Sequence, residues 1–193
     1  MSSIFFYSLA MLFILSACNM GGSASSSSTP VIKKATPTPT IALTTFTAKT
    51  FLIGYPAKWN ATNQSNISKV PGVEQAEFGQ DIAAVVVQSV PNPHNVGPEK
   101  YIATITNTVR GLTLKNTKPD SIPTTVKVAN ETWAQQGYTG DGQSNGTTVP
   151  SRATCLVTDH LVNHHMYSIC FAGETTNLTR DEFQAMLNSF QFK

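Results

Sequence analysis

Charge and cysteine are both scarce in this chain, and each shortage excludes something. Only 12% of the 193 residues are Asp, Glu, Lys or Arg. From Phe46 to Lys193 eight Lys and three Arg meet eleven acidic residues, so this stretch is formally neutral. A neutral surface with scattered charges gives no electrostatic footprint for nucleic acid. Three cysteines without a C-x-x-C pair supply no zinc or redox motif. There is no P-loop and no dinucleotide fingerprint after any strand-like run, so no cofactor is implied. Long apolar runs are also missing, with one exception at the start.

That exception is Ile4 to Ala17, fourteen uncharged residues. A membrane-spanning helix needs about 20, whereas a secretory apolar region needs about 7–15. The run ends in Leu15-Ser16-Ala17-Cys18, small residues before a cysteine. This tetrad resembles the bacterial lipobox. The resemblance implies cleavage before Cys18, a diacylglyceryl group on its thiol, and attachment to the extracytoplasmic face of the cell membrane. The departure from the pattern is the lack of Lys or Arg ahead of the run, which a misassigned start or a weak n-region would explain. An ordinary signal peptide or an uncleaved anchor is the competing reading.

Residues 19–45 hold five Ser, six Thr, three Pro and two Gly. Such a composition buries too little apolar surface to offset the entropy of ordering, so residues 18–45 are expected to form a flexible tether. Its r.m.s. span is about 30 Å. Lys33 and Lys34 add at most about 1 kcal/mol each near an anionic surface. The remaining 148 residues, 46–193, are enough for one domain with a single core.

Cys155 and Cys170 flank two β-prone runs around a polar centre. A hairpin turning at Val162-Asn163 places them directly opposite, where Cβ atoms lie about 4.5–5.5 Å apart and a disulfide can close. Leu156 then faces Ile169. An exported domain meets oxidising conditions, which favours the bond. A metal site using His160, His164 or His165 is the alternative, but no ligand spacing supports it.

Strands are predicted at Phe51–Tyr55, Gln75–Gly79 and Ile82–Val90, the last apolar enough to be central. Pro98 and Glu99 open a helix whose Tyr101, Ile102, Ile105, Val109 and Leu112 recur at helical spacing. Strands follow near Ser121–Val128, Glu131–Tyr138 and Thr147–Thr158, with Thr139–Gly146 as a polar connection. Thr179 and Glu182 suggest a capping box for a last helix carrying Phe183, Met186, Leu187 and Phe190 on one stripe. Asp181 and Glu182 read as first-turn charges. The chain closes on an extended Gln191-Phe192-Lys193. Hairpin connections dominate, so the fold class is α+β with a largely antiparallel sheet sandwiched by helices.

These residues resemble the PsbP-like family. The resemblance rests on Phe51, Tyr55, Pro56 and Trp59 in the opening strand and turn, on a central helix beginning at Tyr101, and on Phe183, Met186, Leu187, Ser189 and Phe190 in the last helix. It covers nearly all of residues 46–193 and implies an α/β/α sandwich that binds proteins rather than catalysing a reaction.

Candidates for chemistry are few. Gly142-Gln143-Ser144-Asn145-Gly146 matches a nucleophile elbow in letters, but sits in a polar turn rather than before a helix. Asp141-Gly142 lacks the spaced acids of a calcium loop. His164 and His165 read as solvated or packing residues. Trp133 and Tyr138 are the candidates for an exposed binding strand, whereas Trp59 reads as packing. Asn60, Asn66 and Asn177 open glycosylation-type triplets that a bacterial lipobox makes incidental. The expected role is a tethered protein-binding or assembly factor, with small-molecule or lipid binding in a cleft between sheet and helix as the alternative. A hydrolase comes third.

Overall fold

The computed structural model describes residues 41–63 and 70–193. Its strands are β1 (Leu43–Thr47), β2 (Phe51–Pro56), β3 (Asn60–Asn63), β4 (Glu74–Gln80) and β5 (Ala83–Pro91), followed by helix α1 (Glu99–Thr113). After it come β6 (Lys115–Pro119), β7 (Thr125–Val128), β8 (Glu131–Ser144), β9 (Thr147–His160) and β10 (His165–Glu174). Helix α2 (Asn177–Ser189) and β11 (Gln191–Phe192) complete the chain. One sheet runs β3-β4-β5-β10-β9-β8-β6, with β7 also on β8, and a second runs β1-β2-β11. Every pairing is antiparallel. The fold is therefore α+β and mostly antiparallel, with two helices.

Side-chain size divides the two faces of the large sheet. Because successive residues of a strand point oppositely, one face collects Phe78, Val85, Val87, Trp133, Leu156, Tyr167, Ile169 and Phe171. The small sheet and α2 cover this face through Phe51, Ile53, Met186, Leu187 and Phe190. Phe183 stacks on Phe171 at 4.7 Å, and Trp133 meets Phe190 edge-on at 5.4 Å. Burying each such side chain contributes about 1.5–3 kcal/mol, so this is the main core. The other face presents Ala153 and Ala172 to Leu114 and Val109, and the Cys155–Cys170 pair follows next along the same face. Helix α1 lies there, on small residues that let it approach closely.

The Cys155–Cys170 bridge has formed, with S–S 2.10 Å and Cα atoms 4.1 Å apart. Cys155 pairs with Cys170 and Leu156 with Ile169, and both apolar partners are fully buried. β5 is an interior strand, but it alternates rather than burying both faces.

Several expectations are corrected. The polar stretch 139–144 continues β8, and the connection shrinks to Asn145-Gly146, both at positive φ (48° and 80°). Asn-Gly is the pair that suits such a two-residue turn, because its backbone twist matches the strands it joins. β6 has no counterpart in the sequence reading. The cap of α2 is Thr176, whose Oγ1 accepts from the Thr179 N–H at 3.2 Å. Asp181 and Glu182 thus fall in the second turn, and Glu182 is buried against Lys58 at 3.0 Å. On α1 the inward stripe is Ile102, Ile105, Thr106 and Val109, leaving Tyr101 and Leu112 exposed at its margins. β1 begins at Leu43, so pairing reaches into the last three residues of the expected tether.

Candidate interaction surface

The sheet end carrying the β9–β10 turn has the clearest outward-facing apolar residues. Leu161 is 63% exposed and Val162 85% exposed. Neighbouring polar groups tie the turn down. The Asn92 N–H donates to the His164 carbonyl at 2.6 Å, and Asn92 Nδ2 reaches Asp159 Oδ1 at 2.8 Å. Asn92 also holds its own loop, accepting from the Val96 N–H at 3.0 Å while donating to the Val96 carbonyl at 3.1 Å. His164 Nδ1 meets Asn95 Oδ1 at 3.1 Å. From the other side, Asn163 Nδ2 donates to the Tyr167 hydroxyl at 2.6 Å, and that hydroxyl donates to the Thr50 carbonyl at 3.1 Å. These bonds hold two apolar side chains in water at a fixed place.

Beside the turn, a cleft of about 200 Å³ opens between α1 and strands β5 and β10. Val90, Pro91, Tyr101, Ile105 and Met166 line it, with Gln88, Asn92 and Ser168 as its polar groups. Its lining has no charged side chain. Larger hollows, of about 350–490 Å³, carry charge: Asp81, Lys115 and Asp141 past the end of α1, Lys58, Glu174 and Glu182 beside Trp59, Lys127 beside Leu187, and Glu99 between α1 and β8.

The sequence candidates are placed differently. Trp133 is fully buried, its Nε1 donating to the Val128 carbonyl at 3.1 Å. Its strand parity turns it into the main core, so it is not an exposed binding residue. Tyr138 has the opposite parity and is half-buried, with the Arg110 guanidinium 4.7 Å above its ring. Trp59 packs in the core. Ser144 ends β8 beside the Asn145-Gly146 turn, and Asp141 bonds Asn116 at 2.7 Å. Cys18, the expected signal peptide 1–17, Lys33, Lys34 and Asn66 lie outside the described residues.

His165 is half-buried, its Nδ1 2.7 Å from the fully buried Ser89 Oγ. Burial pushes its pKa below the ordinary histidine value, and the Glu74 carboxylate pulls the other way. Burial also raises the carboxyl of Glu74, but bonds from the Thr50 hydroxyl, Thr50 N–H and Lys49 N–H outweigh it and leave the pKa lowered. No group of three or more His, Cys, Asp or Glu among the described residues is arranged to hold a metal ion. No described helix is long and apolar enough to cross a membrane. Sequence reading placed the turn but did not single out Leu161 and Val162 as an exposed pair, although two adjacent apolar residues at the centre of a predicted hairpin were the available signal.

No family model and no curated protein matches the chain. Among solved structures it is similar to LpqN of Mycobacterium tuberculosis, described as involved in cell envelope biogenesis. That match has 10% identity and a TM-score of 0.45, covering 79% of this chain and 91% of LpqN. It is also similar to a protein of Bacteroides thetaiotaomicron at 12% identity and a TM-score of 0.43, covering 74% of this chain and 45% of that one. This chain thus spans less than half of the Bacteroides protein. Both scores lie under 0.5, and neither neighbour enters the functional argument.

Proposed function

We propose that the protein is a bacterial lipoprotein with a PsbP-like α/β/α domain, held at the extracytoplasmic membrane face by lipid on Cys18. Its role is non-enzymatic: it binds a protein partner through the Leu161-Val162 turn and the adjoining cleft. The observation that carries this reading is the exposure of Leu161 and Val162 on a turn fixed by Asn92, Asn95 and Tyr167. Apolar side chains pre-positioned in water bind without a further ordering cost.

The occupant is a protein rather than a free ligand for two reasons. A cleft of about 200 Å³ is smaller than the roughly 300–1,000 Å³ of small-molecule sites, yet suits one inserted side chain. The turn also lies far from the chain's entry. Leu43 pairs with Pro56, whereas Thr50 sits at the other end of β2 and meets Tyr167 beside the turn. β1 therefore starts at one end of β2 and the apolar turn lies toward the other.

Purification from detergent-solubilised membranes is expected to return a stoichiometric protein partner. Repeated recovery of the chain alone would contradict the reading. Native mass spectrometry separates the alternative, because a carried small molecule or lipid adds a defined mass.

A further inference from the structure

Two histidines face each other at the foot of the exposed turn. His160 closes β9, His165 opens β10, and the register places them directly opposite. Both flank the Tyr167 ring, with centroids 6.1 and 6.2 Å from it. His160 Nδ1 contacts Glu131 Oε1 at 2.5 Å, and its ring stacks flat on Phe192 at 4.0 Å. His165 Nδ1 meets Ser89 Oγ, and the His165 N–H donates to Asn163 Oδ1 at 3.2 Å. The histidine pair and the bonds that fix the turn therefore share Asn163 and Tyr167.

The surrounding charges are unequal. β8 brings Glu131 to His160, and past Phe192 stands Lys193, whose Nζ is drawn to the Ala48 carbonyl at 2.9 Å. β4 brings Glu74 near His165, with Lys49 beside that carboxylate on the β1–β2 turn. β5 contributes the uncharged Ser89, and β10 the Tyr167 phenol. His160 thus has the Glu131 carboxylate in direct contact. His165 has none, because the Glu74 oxygens are taken up by Lys49 and Thr50. A proton on His165 therefore places a half-buried cation without a carboxylate in contact, which is costly. Protonation also makes both imidazole nitrogens donors, so the buried Ser89 hydroxyl can no longer donate to the ring.

We propose that this pair makes the interaction surface acid-releasable: charging His165 opposite His160 loosens the β9–β10 turn and withdraws Leu161 and Val162 from their fixed position. The biological meaning rests on the surface reading above, while the physical claim concerns this chain alone. Burial of His165 means that the opened turn takes the proton more readily than the closed one, so opening gains as pH falls below the ordinary histidine value.

Amide hydrogen exchange of the full chain in detergent, corrected for intrinsic rates, tests this at pH 7.5 and pH 5.0. Opening of residues 161–166 should rise severalfold at the lower pH. His165→Gln should abolish the rise, and His160→Gln, which removes the opposing imidazole, should reduce it. His164→Gln, on the exposed part of the turn, should leave it intact. Equal protection at both pH values, or a full rise in His165→Gln, would overturn the proposal. No partner is present in this experiment, so its failure leaves the surface reading standing. A Val162→Asp chain that retains its partner sinks the surface reading without touching the acid opening.

Discussion

Cys155 on β9 and Cys170 on β10 stand directly opposite and are bonded, beneath α1 and almost wholly out of water. The bond staples the two strands that carry the exposed turn. A closed loop of this length is worth about 3 kcal/mol in the chain-entropy description. Replacing both cysteines with alanine is therefore expected to lower unfolding free energy by about 2–4 kcal/mol in urea titrations. Thiol titration of the unfolded, unreduced protein should find neither cysteine free, and two free thiols would remove the staple.

Trp133 provides a second test because two uses of it predict different results. As a core residue against Phe190 and Phe192, its truncation to alanine should cost about 3–5 kcal/mol. Tyr138→Ala should cost less, since that ring is half-buried under Arg110. Denaturant unfolding of the two variants decides; equal and small losses would return Trp133 to the surface.

The hairpin was legible because its signal is arithmetic: the cysteine positions and the β-prone runs fix one register, and a slip would move every side chain to the other face. The Phe183, Met186, Leu187 and Phe190 stripe was legible by helical spacing for the same kind of reason. Trp133 was misplaced because alternation along Glu131–Tyr138 shows that two faces differ without showing which one meets the core. Tyr101 and Leu112 were drawn into the α1 stripe by hydropathy alone, although the narrow bed of alanine and cystine beneath the helix accommodates fewer residues. The interaction surface was invisible because it joins residues 92–95 to residues 161–164, a proximity that only the β5–β10 pairing creates.

Acid should weaken the fold through two groups. Glu74 has a folded pKa below its ordinary value, so its stabilisation is present above about pH 4.5 and is lost as pH falls through the folded value. His165 has a lowered pKa as a base, so its contribution is full above about pH 6.5 and declines below it. Stability is expected to fall in two stages between pH 7 and pH 3. Glu74→Gln should cost about 2 kcal/mol at pH 7, the scale of a hydrogen bond to a charged group, and should flatten the lower stage. Urea midpoints across this range check both; a lower stage unchanged in Glu74→Gln would refute the assignment.

The proposed lipid on Cys18 would make the membrane attachment depend on one atom. Two acyl chains anchor stably where one binds marginally. A Cys18→Ala chain should escape processing or leave the membrane fraction, while metabolic labelling with a fatty acid should mark the wild type alone. Normal cleavage and retention of the variant would contradict the anchor.

The central claim is that Leu161 and Val162 engage a protein, and Val162→Asp tests it most directly. Val162 is 85% exposed, so the substitution should leave the thermal midpoint within a few degrees of the wild type, as surface changes of about 0.5 kcal/mol do. Quantitative co-purification from detergent-solubilised membranes should then give a one-to-one partner with the wild type and lose it with the variant. A folded Val162→Asp chain that recovers the same partner in the same amount would contradict the account.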